Sequence, residues 1–250
     1  MMIDTHCHVL SEYYDNIDKE IERMKLAGVK AIIISGTNIK NCQEILELVN
    51  KYDIVYGAIG FHPTELDDVS ISDLDFIEKN IANDKIVAVG EIGLDYHYDN
   101  TDREKQQLFF KKQLEIANKY HKPVIVHSRD AINDTYNILE RFSLQGVLHC
   151  YSGSLEMAKR FTKLGIYLGV GGVCTFKNAK NIVEVIKNVD IKYILLETDS
   201  PYLTPVPYRK YANSPSYLGI IASKIAEIKD MDYDIVVDMT SANARGLFDI

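Results

Sequence analysis

The feature that most constrains this chain is an alternation. Eight short apolar runs rich in β-branched residues are separated by segments whose apolar residues recur at helical spacing. The runs are Ile3–His8, Lys30–Gly36, Ile54–Gly60, Ile86–Gly90, Pro123–Val126, Gly146–Leu148, Ile166–Val170 and Tyr193–Leu196. Runs of this kind read as strands covered on both faces, and the segments between them supply the helices that cover them. Asn16 or a neighbour caps the first such segment, Ile17, Ile21, Met24 and Ala27 share its face, and Gly28 stops it. Further helices are expected over about 40–51, 71–82 and 130–142, from Ser154, and over about 178–188, with Thr101 and Glu104 forming a capping box for one that reaches Tyr120. Two more, over about 216–229 and 233–247, end the chain. Eight strand-then-helix units joined by short loops have one dominant solution, an α/β fold closed into a (β/α)8 TIM barrel, here a single domain over residues 1–250. The runner-up is an open doubly wound sheet, but no G-x-G-x-x-G loop follows any strand. Four of the six prolines lie between Pro201 and Pro215, so the loop after the eighth strand reads as a stiffened cover.

A barrel of this kind keeps its chemistry at the carboxyl ends of its strands. Side chains alternate along a strand, so Asp4, His6 and His8 share one face of the first run while Ile3, Thr5 and Cys7 share the other. Two imidazoles side by side suit one divalent ion. His62 follows the third strand, Glu91 ends the fourth, His127 the fifth and His149 the sixth, and Asp199 follows the eighth. Five of the seven histidines therefore fall at one rim. His97 and His121 do not, and His121 sits at a helix end, where a surface role is the plainer reading. Counting back by two, Val87, Val89, Ile125 and Val147 are expected to fill the barrel beneath the ligands, with Cys7 and Cys150 turned outward as small buried hydrophobes. Asp4 and Glu197 are expected inside, one layer below His6 and Asp199. A buried carboxylate needs a partner: for Asp4 a hydrogen bond to a ligand imidazole is favoured, and for Glu197 that reading and a salt bridge to a core basic group stand level.

Four histidines and two carboxylates exceed what one tetrahedral ion needs. The natural arrangement is two divalent ions about 3.5–4 Å apart sharing a carboxylate. Glu91 is the expected bridge, with His6, His8 and Asp199 on one ion and His127 and His149 on the other. A water between the ions would lose a proton near neutral pH, and Asp199 could accept it. Such ligands accept Mg, Mn, Zn or Co, so the metal's identity is open.

A net charge of -8 argues against bulk attraction to nucleic acid, yet leaves room for a phosphate-bearing substrate if ions supply the positive charge locally. The four cysteines form no C-x-x-C pair, no basic and apolar leader opens the chain, and no apolar run is long enough to span a membrane. Reduced thiols and a cytoplasmic location with no membrane partner are therefore expected.

The segments Asp4-Thr5-His6-Cys7-His8, Gly60-Phe61-His62-Pro63, Gly90-Glu91-Ile92-Gly93-Leu94-Asp95, His127-Ser128-Arg129-Asp130, His149-Cys150-Tyr151-Ser152-Gly153 and Glu197-Thr198-Asp199-Ser200-Pro201-Tyr202-Leu203 together resemble the TatD family of metal-dependent deoxyribonucleases. The resemblance runs in the family's order from residue 2 to Phe248. It implies a barrel of the amidohydrolase superfamily, divalent metals, and hydrolysis of DNA phosphodiesters, commonly from the 3′ end, with single strands or 3′ ends as substrate. Carried over position by position, it implies the same ligands, His6, His8, Glu91, His127, His149 and Asp199. It adds phosphate contacts from Arg129 and His62, with Ser152 nearby, so that Asp199, Glu91, His62 and Arg129 form the expected catalytic set. A guanidinium forks onto phosphate oxygens, and an imidazole can donate a hydrogen bond or a proton. The alternative for His62 is a loop-stabilising histidine before Pro63. The family usually carries Asn-Glu-Pro after strand eight, where this chain has Asn213-Ser214-Pro215. That departure puts in doubt loop anchoring or a substrate contact. The competing activity is an amidohydrolase-type ester or amide hydrolase, such as a D-aminoacyl-tRNA deacylase. Many relatives in the wider superfamily bridge their metals with a carboxylated lysine on strand four, and Glu91 in that place favours the nuclease. A metal-bound binding module without catalysis is the third reading.

Overall fold

In a computed structural model describing residues 2–250, eight parallel strands pair in sequence order into one sheet: β1 (Met2–Cys7), β2 (Val29–Ser35), β3 (Val55–Ile59), β4 (Ile86–Asp95), β5 (Val124–Arg129), β6 (Gly146–Leu148), β7 (Ile166–Val170) and β8 (Ile194–Leu196). The sheet curls until its edges meet. Thr5 Oγ1 donates to the Leu196 carbonyl at 3.0 Å, and the Asp199 N–H donates to the His6 carbonyl at 3.0 Å. This is the expected (β/α)8 barrel, with strands covered by α1 (Ile17–Leu26), α2 (Ile39–Lys51), α3 (Asp75–Asn80), α4 (Arg103–Lys119), α5 (Ile132–Leu139), α6 (Leu155–Lys163), α7 (Lys180–Asn188) and α8 (Leu218–Lys229). A last helix, α9 (Tyr233–Phe248), packs on β1 and β8. Among the described residues no helix is long and apolar enough to cross a membrane.

Two apolar layers follow from strand alternation. The larger lies between sheet and helices and includes Cys7, Ile32, Ile34, Val89, Ile92, Val126, Leu168 and Leu196. The smaller fills the barrel with Ile3, Ala31, Ile33, Ala58, Val87, Ile125, Val147 and Leu195, and Ala244, Leu247 and Phe248 of α9 plug the end where the strands begin. Val87, Ile125 and Val147 point inward as alternation requires, but Val89 faces the helices and Ile3 faces the barrel. Both reversals sit on strands whose pairing register slips, between Met2 and Ile3 and between Asp4 and Cys7 on β1, and between Val89 and Ile92 on β4.

Local signals set most helix starts. Asn16, Asn38 and Ser154 accept hydrogen bonds from Lys19, Asn41 and Met157 N–H groups, satisfying donors that a first turn leaves free. For α4 the cap is Asp102, which accepts from the Lys105 N–H, and not Thr101. The segment expected as a helix over about 71–82 is a 3-10 turn, Ile71–Leu74, leading into the short α3.

Candidate metal centre

Strand four reaches further than its apolar run. It continues through Glu91 to Asp95, staying hydrogen-bonded to β5 as far as Arg129, and Gly93 makes this possible. A Cβ on Gly93, whose φ is +144°, would lie 2.0 Å from the His127 carbonyl oxygen, so the two strands approach where only glycine fits. Glu91 and Asp95 thereby stand on the same face, beside His127.

Glu91 is buried, and its two carboxylate oxygens face two sets of donors. Oε2 lies 3.4 Å from His6 Nε2 and 3.5 Å from His8 Nε2, and Asp199 Oδ1 lies 3.4 and 3.6 Å from the same nitrogens. Ligands placed tetrahedrally about 2.1 Å from an ion stand ~3.4 Å apart, so these four atoms have the spacing of a coordination cage. Oε1 lies 2.8 Å from His149 Nε2 and 2.9 Å from His127 Nδ1, which are 3.1 Å from each other, with His62 Nε2 at 3.4 Å. His6, His8, His127, His149 and Asp199, from four separate strand ends, thus meet around the one carboxylate of Glu91.

The remaining nitrogen of each ring decides which face is free to bind. His8 Nδ1 donates to the Ser35 carbonyl at 2.9 Å, and His6 Nδ1 sits 3.0 Å from Ser35 Oγ, leaving both Nε2 atoms aimed at the first cage. His6 Nε2 has no hydrogen-bond partner among the described residues, as a buried lone pair awaiting an ion would. Burial, reinforced by the neighbouring His149, pushes His6 down to about 4, so the imidazole is neutral at pH 7. His127 Nε2 lies 3.1 Å from Asp95 Oδ2, which directs Nδ1 to the second cage. Burial works against charging His127, but hydrogen bonds with Asp95 and Glu91 prevail and bring it up to about 9. His62 differs: its Nδ1 accepts the Thr64 N–H at 3.2 Å, so in the neutral ring the proton is on Nε2, which faces the cleft as a donor. Burial holds His62 below its ordinary value, consistent with that neutral form. Glu91 is buried and Asp199 largely so, which alone would raise both, but the surrounding imidazoles hold both well below the usual carboxylate range.

The two inner carboxylates behave otherwise than expected. Asp4 contacts no ligand imidazole. It accepts from the Thr198 hydroxyl at 2.5 Å and N–H at 3.0 Å and from the His6 N–H at 3.3 Å, tying β1 to the residue beside Asp199. Burial raises it to about 7. Glu197 meets neither an imidazole nor a core cation. Its Oε1 accepts the Cys150 N–H at 2.5 Å, next to His149, and burial pushes the carboxyl far up. Gly169 makes room for it, since a Cβ there would sit 2.1 Å from Oε2. Both carboxyls act on the site through main chain. Neither Cys7 nor Cys150 joins a donor cluster, and burial raises both thiols.

The cages open into a cleft of about 370 Å³ whose walls carry Tyr13, Tyr98, Arg129 and Tyr202; Arg129 is its one Lys or Arg among the described residues. Ser152 is not there. It lines a neighbouring cavity of about 490 Å³ with Arg103 and Ser128, which holds no imidazole. Ser214 is also remote from the cleft: it is buried and donates to Glu20, a buried carboxylate on α1. Ser214 thus meets a carboxylate of α1, and the pair ties the loop after β8 to that helix. Asp95 and Ser35 are the contributors that sequence reasoning passed over. His97, at the exposed rim, pairs with Asp130 at 2.9 Å.

Known proteins match this chain along nearly its whole length. The family described as TatD related DNase matches residues 3–249. The metal-dependent hydrolase YabD of Bacillus subtilis is 39% identical over 254 residues, covering 100% of both chains, and YcfH of Escherichia coli is 32% identical over 256 residues, covering 100% of this chain and 96% of the other. The crystal structure of the TatD homologue YjjV from Escherichia coli superposes with a TM-score of 0.94 at 34% identity, covering 100% of this chain and 98% of that one.

Proposed function

The chain belongs to the TatD family of metal-dependent hydrolases, and from that premise we propose that it hydrolyses DNA phosphodiesters at 3′ ends with two divalent ions bridged by Glu91. The observation that carries the proposal is the division of Glu91, with Oε2 toward His6, His8 and Asp199 and Oε1 toward His127 and His149. Their all-nitrogen and carboxylate chemistry fits Mg, Mn, Zn or Co. Ions held by these residues would supply Lewis acidity for a phosphoryl oxygen and would bring the acidity of a bound water toward neutral pH.

The protein's own groups do the rest. Asp199, kept ionised by the imidazoles of His6 and His8, lies at the cleft floor and receives the proton of the attacking water. Arg129 projects from the end of β5 as the cleft's one guanidinium and forks onto the phosphate. His62 presents Nε2–H to the same space and donates to a phosphate oxygen or the leaving group. Glu197 and Asp4 fix the backbone at Cys150 and Thr198, so the donors at His149 and Asp199 stay in place when ions are absent.

The test uses purified full-length protein with Mg2+ or Mn2+ and 5′-labelled single-stranded DNA. Stepwise shortening from the 3′ end is expected. Intact DNA alongside release of D-amino acid from D-aminoacyl-tRNA would replace the nuclease with the deacylase reading.

A further inference from the structure

We propose that Tyr13 and Tyr202 form a stacking platform for the unpaired base of the terminal nucleotide, which makes this cleft selective for single-stranded ends. The proposal rests on the nuclease reading above. Tyr13 lies in the loop between β1 and α1, and Tyr202 in the loop between β8 and α8, so two neighbouring loops of the barrel bring them together. Their rings meet edge to face, with centroids 5.8 Å apart and planes at 72°. Each also stands beside a metal-cage imidazole, 6.4 and 6.2 Å from the His8 ring. Both line the cleft, yet 39% of Tyr13 and 49% of Tyr202 remain in water. Across the cleft Tyr98 is 54% exposed, with the Arg129 guanidinium 5.9 Å from its ring.

Scattered surface tyrosines need no explanation, but three around the mouth of one small polar cleft do. Electrostatic attraction here is confined to the phosphate that the ions and Arg129 would hold: the chain carries -8, the walls add Glu65 and Asp95, and Arg129 is the one Lys or Arg lining the cleft among the described residues. Counterion release from Lys and Arg, the usual source of affinity, is therefore small. Stacking adds a contact beyond that phosphate, and it is available to every base because every base has a π-face. It is unavailable to a paired base inside a duplex, whose faces are already covered. A cleft of about 370 Å³ is also of a size for one compact group and not for a helix of DNA. Both rings stand beside His8 in the wall of the cleft and keep much of their surface in water, which leaves aromatic surface next to the cage that would hold the terminal phosphate.

The experiment compares two single-stranded oligonucleotides, one with a natural 3′-terminal nucleotide and one with an abasic 3′ end, using the full chain with Mn2+. Wild type is expected to show a KM roughly 5- to 150-fold lower for the base-bearing end, the range of one base–aromatic stack. Tyr202→Leu and Tyr13→Leu should each shrink that preference toward one, and Tyr202→Phe should keep it, because the ring and not the hydroxyl does the binding. Equal KM values for the two ends in wild type overturn the platform while leaving the nuclease reading intact, and need no variant to fold. So does a Phe variant that loses as much as Leu. Cleavage of neither oligonucleotide by wild type sinks both readings.

Discussion

Asp95→Asn separates orientation from proton competition at the second cage. His127 can bind an ion through Nδ1 only if its proton stays on Nε2, and the 3.1 Å contact with Asp95 Oδ2 fixes that tautomer and aims the ring. Asparagine keeps the shape but loses the charge. Loss of such a partner weakens metal binding about 10- to 100-fold, or ~1.4–2.7 kcal/mol. A second effect opposes the first. Burial disfavours the imidazolium, but Asp95 and Glu91 together overcome it and raise His127 to about 9. At pH 7 an incoming ion must then displace a proton held about two units above ambient, ~2.7 kcal/mol of competition. Removing Asp95 relieves part of that burden. Well below pH 9 the relief offsets part of the lost orientation, and at pH 9, where about half of the His127 rings already lack the proton and the competition has fallen to about 0.4 kcal/mol, nearly the full loss appears. Titration against a chromophoric chelator that buffers free Zn2+ should show the variant's second ion weakened more at pH 9 than at pH 7, with the first ion unchanged at both. Wild-type affinity at pH 9, or a loss confined to pH 7, would refute the assignment of Asp95 to His127.

The other cage has its own support: Ser35→Ala removes the hydroxyl beside His6 Nδ1 but keeps the carbonyl that accepts from His8, so the first ion should weaken by about tenfold and the second should not, by the same chelator titration. Glu91→Ala should leave the protein free of both ions in elemental analysis; two ions retained would remove its bridging role. Ser214→Ala strips the hydrogen bond from buried Glu20 and is expected to lower unfolding free energy by about 1.5–3 kcal/mol in urea, with metal content unaltered. Equal urea midpoints would show that this pair does not anchor the loop. Cys150→Ala should keep a full metal complement, since only the backbone N–H of that residue is engaged.

What could be read from sequence and what could not divides along one physical line. Strand order and the rim positions of His6, His8, His127, His149 and Asp199 follow from hydrophobic period and from where each apolar run stops, and both are local properties of the chain. Asp95 escaped because alternation counted from Ile86 ends at Glu91, whereas β4 slips register after Val89 and runs on. A slip depends on the neighbouring strand, and the Gly93 that permits it makes sense only against the His127 carbonyl. Asp4 and Glu197 were placed at the right depth, but their partners were misread for the same reason. Parity tells which way a carboxylate points and nothing about what lies opposite, and across β1 and β8 that is Thr198. Ser214 shows how far this reaches. Judged along the chain it is a lost carboxylate, yet its hydroxyl donates to the buried carboxylate of Glu20, 194 positions away. What a departure from a motif does therefore depends on the group it meets across the fold, here on α1, and that partner is invisible to any reading of the loop by itself.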